Sequence, residues 1–343
     1  MGGITPINED AVSRWMAATV GAREPLSFTL IAGGRSNLTY RVSDASGRDF
    51  ALRRPPTSHV LPTAHDMSRE YRILAALAPL GLPVPTPLAL CTDVEVNGPA
   101  FYVMEFVDGA ILRTRADAEA TFDVATRARI GDELATTLAR LHTVDIDEAG
   151  LADLARHDGY IERQLRRWYT QFQASSSEID HRVPLVDEMF AKLSERIPAQ
   201  QRTSVVHADY RLDNTMVADD GSIAAVLDWE LCTLGDPLAD IGTLLVYWTD
   251  PEDTNVPLSA VTALPGFPRR AEVAEMYAEA AGVDLGQINY FMAFAYWRLA
   301  CILEGVYSRY VQGARGGDRS SITQYARQVE LLAESSREAL NRY

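Results

Sequence analysis

The stretch Val205-Val206-His207-Ala208-Asp209-Tyr210-Arg211-Leu212-Asp213-Asn214, followed by an apolar run that ends at Asp228-Trp229-Glu230, decides the reading of this chain. Two carboxylates and an amide in this pattern match the needs of phosphoryl transfer, which draws on positioning and charge neutralisation more than on a covalent partner. One Asp orients the attacking hydroxyl and takes its proton, while an Asn and a second Asp further along supply hard oxygen ligands to Mg2+. The residues in those roles are Asp209 as the catalytic base and Asn214 and Asp228 as the metal ligands. Residues 203–206 and 223–227 read as short apolar strands, and Ala218-Asp219-Asp220-Gly221 reads as a turn. The expectation is two acidic groups at the ends of buried strands, facing one cleft.

Three elements in order, H-x-D-x-x-x-x-N at His207 to Asn214, the D-W-E element at Asp228, and Gly235-Asp236-Pro237-Leu238-Ala239-Asp240-Ile241-Gly242, resemble the aminoglycoside phosphotransferase-like family of the protein-kinase-like fold. Gly33-Gly34-Arg35-Ser36-Asn37-Leu38-Thr39-Tyr40, Leu52-Arg53-Arg54-Pro55-Pro56 and Arg69-Glu70-Tyr71 are similar to the subgroup of kinase-like domains that are fused, in some proteins, to acyl-CoA dehydrogenases. The likeness runs from about residue 30 to about residue 310. It implies an α+β fold of two lobes: a small antiparallel β-rich nucleotide-binding lobe over residues 1–107 and a larger, mainly helical catalytic and substrate-binding lobe over 108–343. It also implies ATP and Mg2+ as cofactors and a hydroxylated small molecule as acceptor of the γ-phosphate. In this resemblance His207 orders the loop and Asp240 braces it, while backbone groups from Glu105 to Val107 pair with the adenine edge.

Gly34, Ser36 and Asn37 lie where a hairpin would cover the phosphates, because glycine lets backbone amides approach an anion closely. A full G-x-G-x-x-G is absent, and a tight hairpin that binds nothing is the plainer reading. Arg53 departs from the family pattern. It stands where related proteins carry the Lys of A-x-K, and the only lysine of this chain is Lys192. A guanidinium can hold phosphate oxygens and a carboxylate bidentately, with a geometry unlike that of an ammonium. Glu70 is its expected partner, and Arg54 competes for the same place because the doublet leaves the strand register open by one.

Composition bounds the rest. With 343 residues and 47% hydrophobic content the chain is long enough for two lobes with cores of their own. No run of 18 uninterrupted apolar residues exists, and the start lacks a secretion signal's layout, so a cytoplasmic location is expected. A formal charge of -15 argues against a nucleic-acid partner. Cys91, Cys232 and Cys301 lack C-x-x-C spacing and read as buried thiols.

Along the chain, residues 8–20 read as a capped helix, 28–31, 40–42 and 50–53 as strands, 66–77 as a helix, and the Pro-rich 82–90 as an extended connector. Residues 100–107 read as a strand and 122–142 as a long amphipathic helix. Residues 158–197 give one or two helices, split at Ala174-Ser175-Ser176-Ser177, and 250–270 reads as a lid-like loop ahead of a helical remainder. Arg298 and Arg309 share a helix face, where surface ion pairs or an anionic substrate are the alternatives.

The function expected is an ATP- and Mg2+-dependent phosphotransferase acting on an aminoglycoside-like compound, a hydroxyacyl-CoA or another hydroxylated metabolite. A protein kinase fits less well, since Gly235-Asp236-Pro237 follows Asp228 too soon for a peptide-docking segment. The rival is a kinase-like module that binds nucleotide with little or no turnover, kept open by Arg53. The reading includes no membrane partner and leaves the oligomeric state open.

Overall fold

A computed structural model of the chain describes residues 7–32, 37–56, 66–253, 258, 260–313 and 319–343. Gly34 and Ser36 lie outside the described residues. The chain divides into two compact units: residues 1–110 together with 223–231, and residues 111–222 together with 232–343.

The first unit is built on a five-stranded antiparallel sheet. It contains α1 (Glu9–Val20), β1 (Ser27–Ala32), β2 (Leu38–Ser43), β3 (Asp49–Arg54), α2 (Met67–Leu77), β4 (Pro87–Cys91), α3 (Val94–Asn97) and β5 (Phe101–Glu105), with spatial strand order β1-β2-β3-β5-β4. Pro87 opens an edge strand, which its missing amide donor permits; the sequence reading of 82–90 as connector is corrected for its second half.

Strand pairing sets Leu38, Tyr40 and Val42 opposite Arg54, Leu52 and Phe50. Because side chains alternate along a strand, these residues share one face, and Leu38, Tyr40, Val42, Leu52 and Phe50 pack there with Val12 and Met16 of α1. Helix α1 forms where it does because the Asn8 side-chain oxygen Oδ1 accepts the Ala11 amide, and it stops at Gly21, whose φ of 68° is the left-handed value glycine tolerates. The opposite face carries Thr39, Arg53 and Tyr102, placed in register across β2, β3 and β5.

Helix α2 starts at Asp66, whose carboxylate accepts the Arg69 amide, and buries Glu70 among Ile73, Leu74 and Leu77. A charged group on an otherwise apolar stripe needs a partner. Strand β8 (Ile223–Val226) and the turn at Asp228 also belong to this unit, fastened by the Val226 amide to the Pro83 carbonyl at 2.7 Å and by the Trp229 indole to the Val226 carbonyl at 2.9 Å.

The second unit holds α4 (Arg115–Thr121), α5 (Val124–His142), α6 (Tyr160–Ile179), α7 (Pro184–Glu195), β6 (Ser204–Val206), β7 (Thr215–Val217), β9 (Thr233–Gly235), α8 (Leu238–Tyr247), α9 (Arg270–Ala281), α10 (Ile288–Val311) and α11 (Arg319–Asn341). Helix α10 is apolar nearly all round, with Tyr290, Phe291, Phe294, Trp297, Ala300 and Cys301 fully buried, and this identifies it as the core helix of the unit. Helix α8 approaches it so closely that a Cβ on Gly242 would lie 2.9 Å from the Phe291 carbonyl.

Helix α6 runs unbroken through Ala174 to Ser177, contrary to the sequence reading. Its stripe Tyr160, Ile161, Leu165, Trp168 and Phe172 is buried, and tertiary packing overrides the middling propensity of serine. The break comes at Asp180, in the left-handed region at φ 49°. Helix α4 was not expected as an element of its own; a capping box between Thr114 and Asp117 starts it. Cys91, Cys232 and Cys301 are buried, and none of the three forms a disulfide. Among the described residues, no helix is long and apolar enough to cross a membrane.

Candidate active site

In the first unit the sheet register settles which arginine meets Glu70. Arg53 leaves β3 on the face of Thr39 and Tyr102. Its Nε donates to Glu70 Oε2 at 2.9 Å, its Nη2 to Asp228 Oδ1 at 2.7 Å and its Nη1 to Thr39 Oγ1 at 3.5 Å. Arg54 turns to the other face. Glu70 also accepts from Asn37 Nδ2 at 2.6 Å and from the Tyr102 hydroxyl at 3.1 Å, so Asn37, Arg53, Glu70 and Asp228 form one hydrogen-bonded group.

Burial works against the Arg53 charge, yet the carboxylates of Glu70 and Asp228 outweigh it and hold the guanidinium pKa above its ordinary value. Burial pushes the Glu70 carboxyl up, opposed by Arg53 and the Tyr102 hydrogen bond. Burial, with the Glu70 charge, raises the Tyr102 phenol well above the usual range.

Asp228 adopts φ 64°, a left-handed conformation that Asp tolerates better than most residues. Its side chain is 30% exposed, and Arg53 engages one oxygen of the two. Glu105 closes β5 with its amide on the Thr86 carbonyl at 2.9 Å. Val107 lies just beyond the strand and makes no backbone hydrogen bond among the described residues.

In the second unit the loop after β6 carries Asp209 and Asn214. Ala208 sits at φ 67°, unusual for a residue with a Cβ, and two side chains hold it and its neighbour through three hydrogen bonds. Asp240 of α8 accepts the His207 amide at 2.6 Å and the Ala208 amide at 2.8 Å, and Arg298 of α10 donates from Nη2 to the Ala208 carbonyl at 2.6 Å. Asp240 is itself anchored by His142 Nε2 at 3.2 Å, and His142 Nδ1 meets the Tyr277 hydroxyl at 2.6 Å. Burial opposes the Asp240 charge, but the hydrogen bonds from His142 and from the His207 amide prevail and keep the carboxyl below its usual range. His207 is fully buried, and its Nδ1 lies 3.2 Å from the Asp209 amide.

The Asp209 side chain is 23% exposed. Its Oδ2 accepts from Asn214 Nδ2 at 2.7 Å, and its Oδ1 lies 3.3 Å from Arg211 Nε. Asn214 Nδ2 also donates to the Asp209 carbonyl at 2.9 Å. With its nitrogen spent on Asp209, Asn214 presents its carbonyl oxygen as the free end, the atom a hard cation prefers. Arg211 pairs with Asp213 at 2.9 Å and lies over the Tyr247 ring at 4.8 Å. Burial lifts the Asp213 carboxyl, against the pull of Arg211.

Sequence reasoning missed Arg211, which stands inside the motif as an unmarked position, and gave no structural role to Arg298. That residue is 2% exposed and meets the loop rather than a surface carboxylate, so the surface ion-pair reading is corrected for it.

Asp236, 1% exposed, accepts the Leu238 amide at 2.9 Å. Burial pushes its carboxyl up to about 6. A folded pKa above the unfolded value of ~3.9 means that the fold favours the protonated acid. That contribution is complete below about pH 4 and is lost as pH rises through about 6. Asp236→Asn is therefore expected to be more stable than the wild type above pH 7, by on the order of 2 kcal/mol, with the difference closing toward pH 4. Melting temperatures of both proteins across this range check it; a difference independent of pH would refute it.

Among the described residues no three His, Cys, Asp or Glu side chains gather as a metal site.

Residues 27–288 match the model of the phosphotransferase enzyme family, APH. The chain is 35% identical, over 97% of its length, to acyl-CoA dehydrogenase family member 10 of Mus musculus, and it spans 31% of that relative's length. Among solved structures, a candidate aminoglycoside phosphotransferase from Ralstonia eutropha is 32% identical with a TM-score of 0.80, covering 97% of this chain and 99% of the other. The amicoumacin kinase hAmiN, in complex with AMP-PNP, Ca2+ and Ami, shares the fold at 16% identity and a TM-score of 0.58, covering 94% of this chain and 93% of its own. Motif order, the braced Asp209 loop and the family match over residues 27–288 converge: the chain belongs to the phosphotransferase enzyme family, with the kinase-like fold of small-molecule phosphotransferases that act on hydroxyl groups.

Proposed function

We propose that this protein transfers the γ-phosphate of ATP to a hydroxyl of a small molecule in the presence of Mg2+. The observation that carries the reading is Asp209, partly exposed, fixed by Asn214 and Arg211 on a loop that Asp240 pins through two backbone amides. A carboxylate held in this way accepts the proton of an attacking alcohol with little rearrangement. Residues 1–107 serve as the nucleotide-binding lobe and 108–343 as the catalytic and substrate-binding lobe.

Arg53 takes the phosphate-facing role that related proteins give to lysine, kept in place by Glu70. Glu105 to Val107 receive the adenine edge, and Gly34, Ser36 and Asn37 belong to the phosphate-covering hairpin. Asn214 and Asp228 would hold Mg2+, which supplies charge neutralisation at the phosphates when bound. The acceptor is a hydroxylated metabolite. A hydroxyacyl thioester has support from the acyl-CoA dehydrogenase relative, and an aminoglycoside-like compound from the Ralstonia structure. The protein works in the cytoplasm, without nucleic-acid or membrane partners.

A second reading draws on Arg53 Nη2 bonded to Asp228 Oδ1, a contact that occupies one oxygen of a metal ligand. In that reading the protein binds nucleotide with little turnover. ADP release with Mg2+ATP over a panel of hydroxyacyl thioesters, amino sugars and polyols decides between them. Acceptor-dependent release supports the enzyme; nucleotide binding with no release on any panel member supports the module.

A further inference from the structure

Three arginines are buried among the described residues: Arg54, Arg127 and Arg298, at 1%, 7% and 2% exposure. Arg127 is satisfied by the carbonyls of Phe122 and Pro265, and Arg298 leaves its Nε without a partner but gives Nη2 to the Ala208 carbonyl. Arg54 differs. Its Nε and Nη1 are buried without a hydrogen-bond partner, and among the described residues no carboxylate pairs with it. Burial pulls its guanidinium pKa down, with Tyr40 as the opposing influence. One residue earlier, Arg53 binds two carboxylates and a hydroxyl.

A buried guanidinium without a counter-charge is among the costliest arrangements a fold can hold. The local chain offers no remedy, since residues 27–43 and 50–65 contain neither Asp nor Glu. The register places Arg54 across from Leu38, on the face of Leu52 and Phe50, opposite to the face where Arg53 meets Glu70 and Asp228. Its missing partner is therefore distinct from the nucleotide group that Arg53 is proposed to serve.

We propose that Arg54 is the receptor for a phosphate oxyanion, bound at the end of β3 on the face of the sheet turned away from Arg53. A guanidinium matches phosphate in charge and in donor geometry, and phosphate brings at least three strong acceptor oxygens, against two on a carboxylate. The oxyanion is either free phosphate or the phosphate end of an esterified metabolite.

The test follows melting of the full chain, without nucleotide or acceptor, against inorganic phosphate, methyl phosphate and acetate at matched ionic strength. The wild type should gain roughly 5 °C at saturating phosphate. Arg54→Met should melt at or above the ligand-free wild type, because it removes an uncompensated charge, and should gain nothing from phosphate. Arg54→Lys keeps the charge without the fork and should bind at least tenfold more weakly, which keeps the test decisive if the Met variant does not fold. Methyl phosphate acting as well as phosphate assigns the site to an esterified ligand; response to inorganic phosphate alone assigns it to the free anion.

The proposal is overturned if the wild type does not respond, if acetate matches phosphate, or if the Arg54 variants respond as the wild type does. Asp209→Asn should show the wild-type phosphate response. A failure here thus leaves the phosphotransfer reading standing, and a failure of that reading leaves the anion site standing.

Discussion

Asp209→Asn should lower kcat by about 100-fold to 10,000-fold, the range associated with loss of a general base, while KM for nucleotide stays near the wild-type value. Asparagine keeps an oxygen to accept the Asn214 amide, now at 2.7 Å, and loses the charge and basicity that an alcohol proton requires. The accompanying loss of the Arg211 contact should be nearly silent in stability, because both side chains are about a quarter exposed and solvent screens the pair. Steady-state ADP release, nucleotide titration and a melting curve on one preparation separate these effects. A variant that folds, binds ATP and turns over at the wild-type rate would remove Asp209 from the chemistry.

The largest effect on stability is expected at Asp240. In Asp240→Ala the His207 and Ala208 amides and the His142 imidazole lose an acceptor at once, all inside the protein. Breaking a buried hydrogen-bonded charge typically costs about 3–5 kcal/mol. For a chain of this size that is a fall in melting temperature of roughly 10 °C. Activity should fall further than stability explains, since Ala208 keeps its left-handed backbone only while the loop is pinned. Asp240→Asn should lie between the two, retaining an acceptor for one amide and presenting an unwanted donor to the other. An alanine variant that melts with the wild type would show that the brace carries no such weight.

The family was legible because the polar residues from His207 to Asn214 recur at short fixed distances in the sequence, and the family match over residues 27–288 agrees. The small sheet and the large helices were legible from alternation and from helical periodicity. The choice between Arg53 and Arg54 was not, because a doublet at a strand end looks the same in either register; pairing with Leu38 and Thr39 resolves it. Arg298 escaped because its partner, Ala208, lies 90 residues away, and a periodic reading reveals only a helix face. The serine run in α6 misled for a related reason: local propensity is weak evidence where a buried stripe of Trp168 and Phe172 sustains the helix.

Residues 223–231 group with the amino-terminal unit although more than a hundred residues of the other unit precede them in the chain. An amino-terminal fragment cut near residue 110 would thus be an unfinished body: its Arg53 would keep Glu70 and forfeit Asp228. The two halves are interleaved by the path of the polypeptide, and neither could be inherited, transplanted or expressed whole by a single cut.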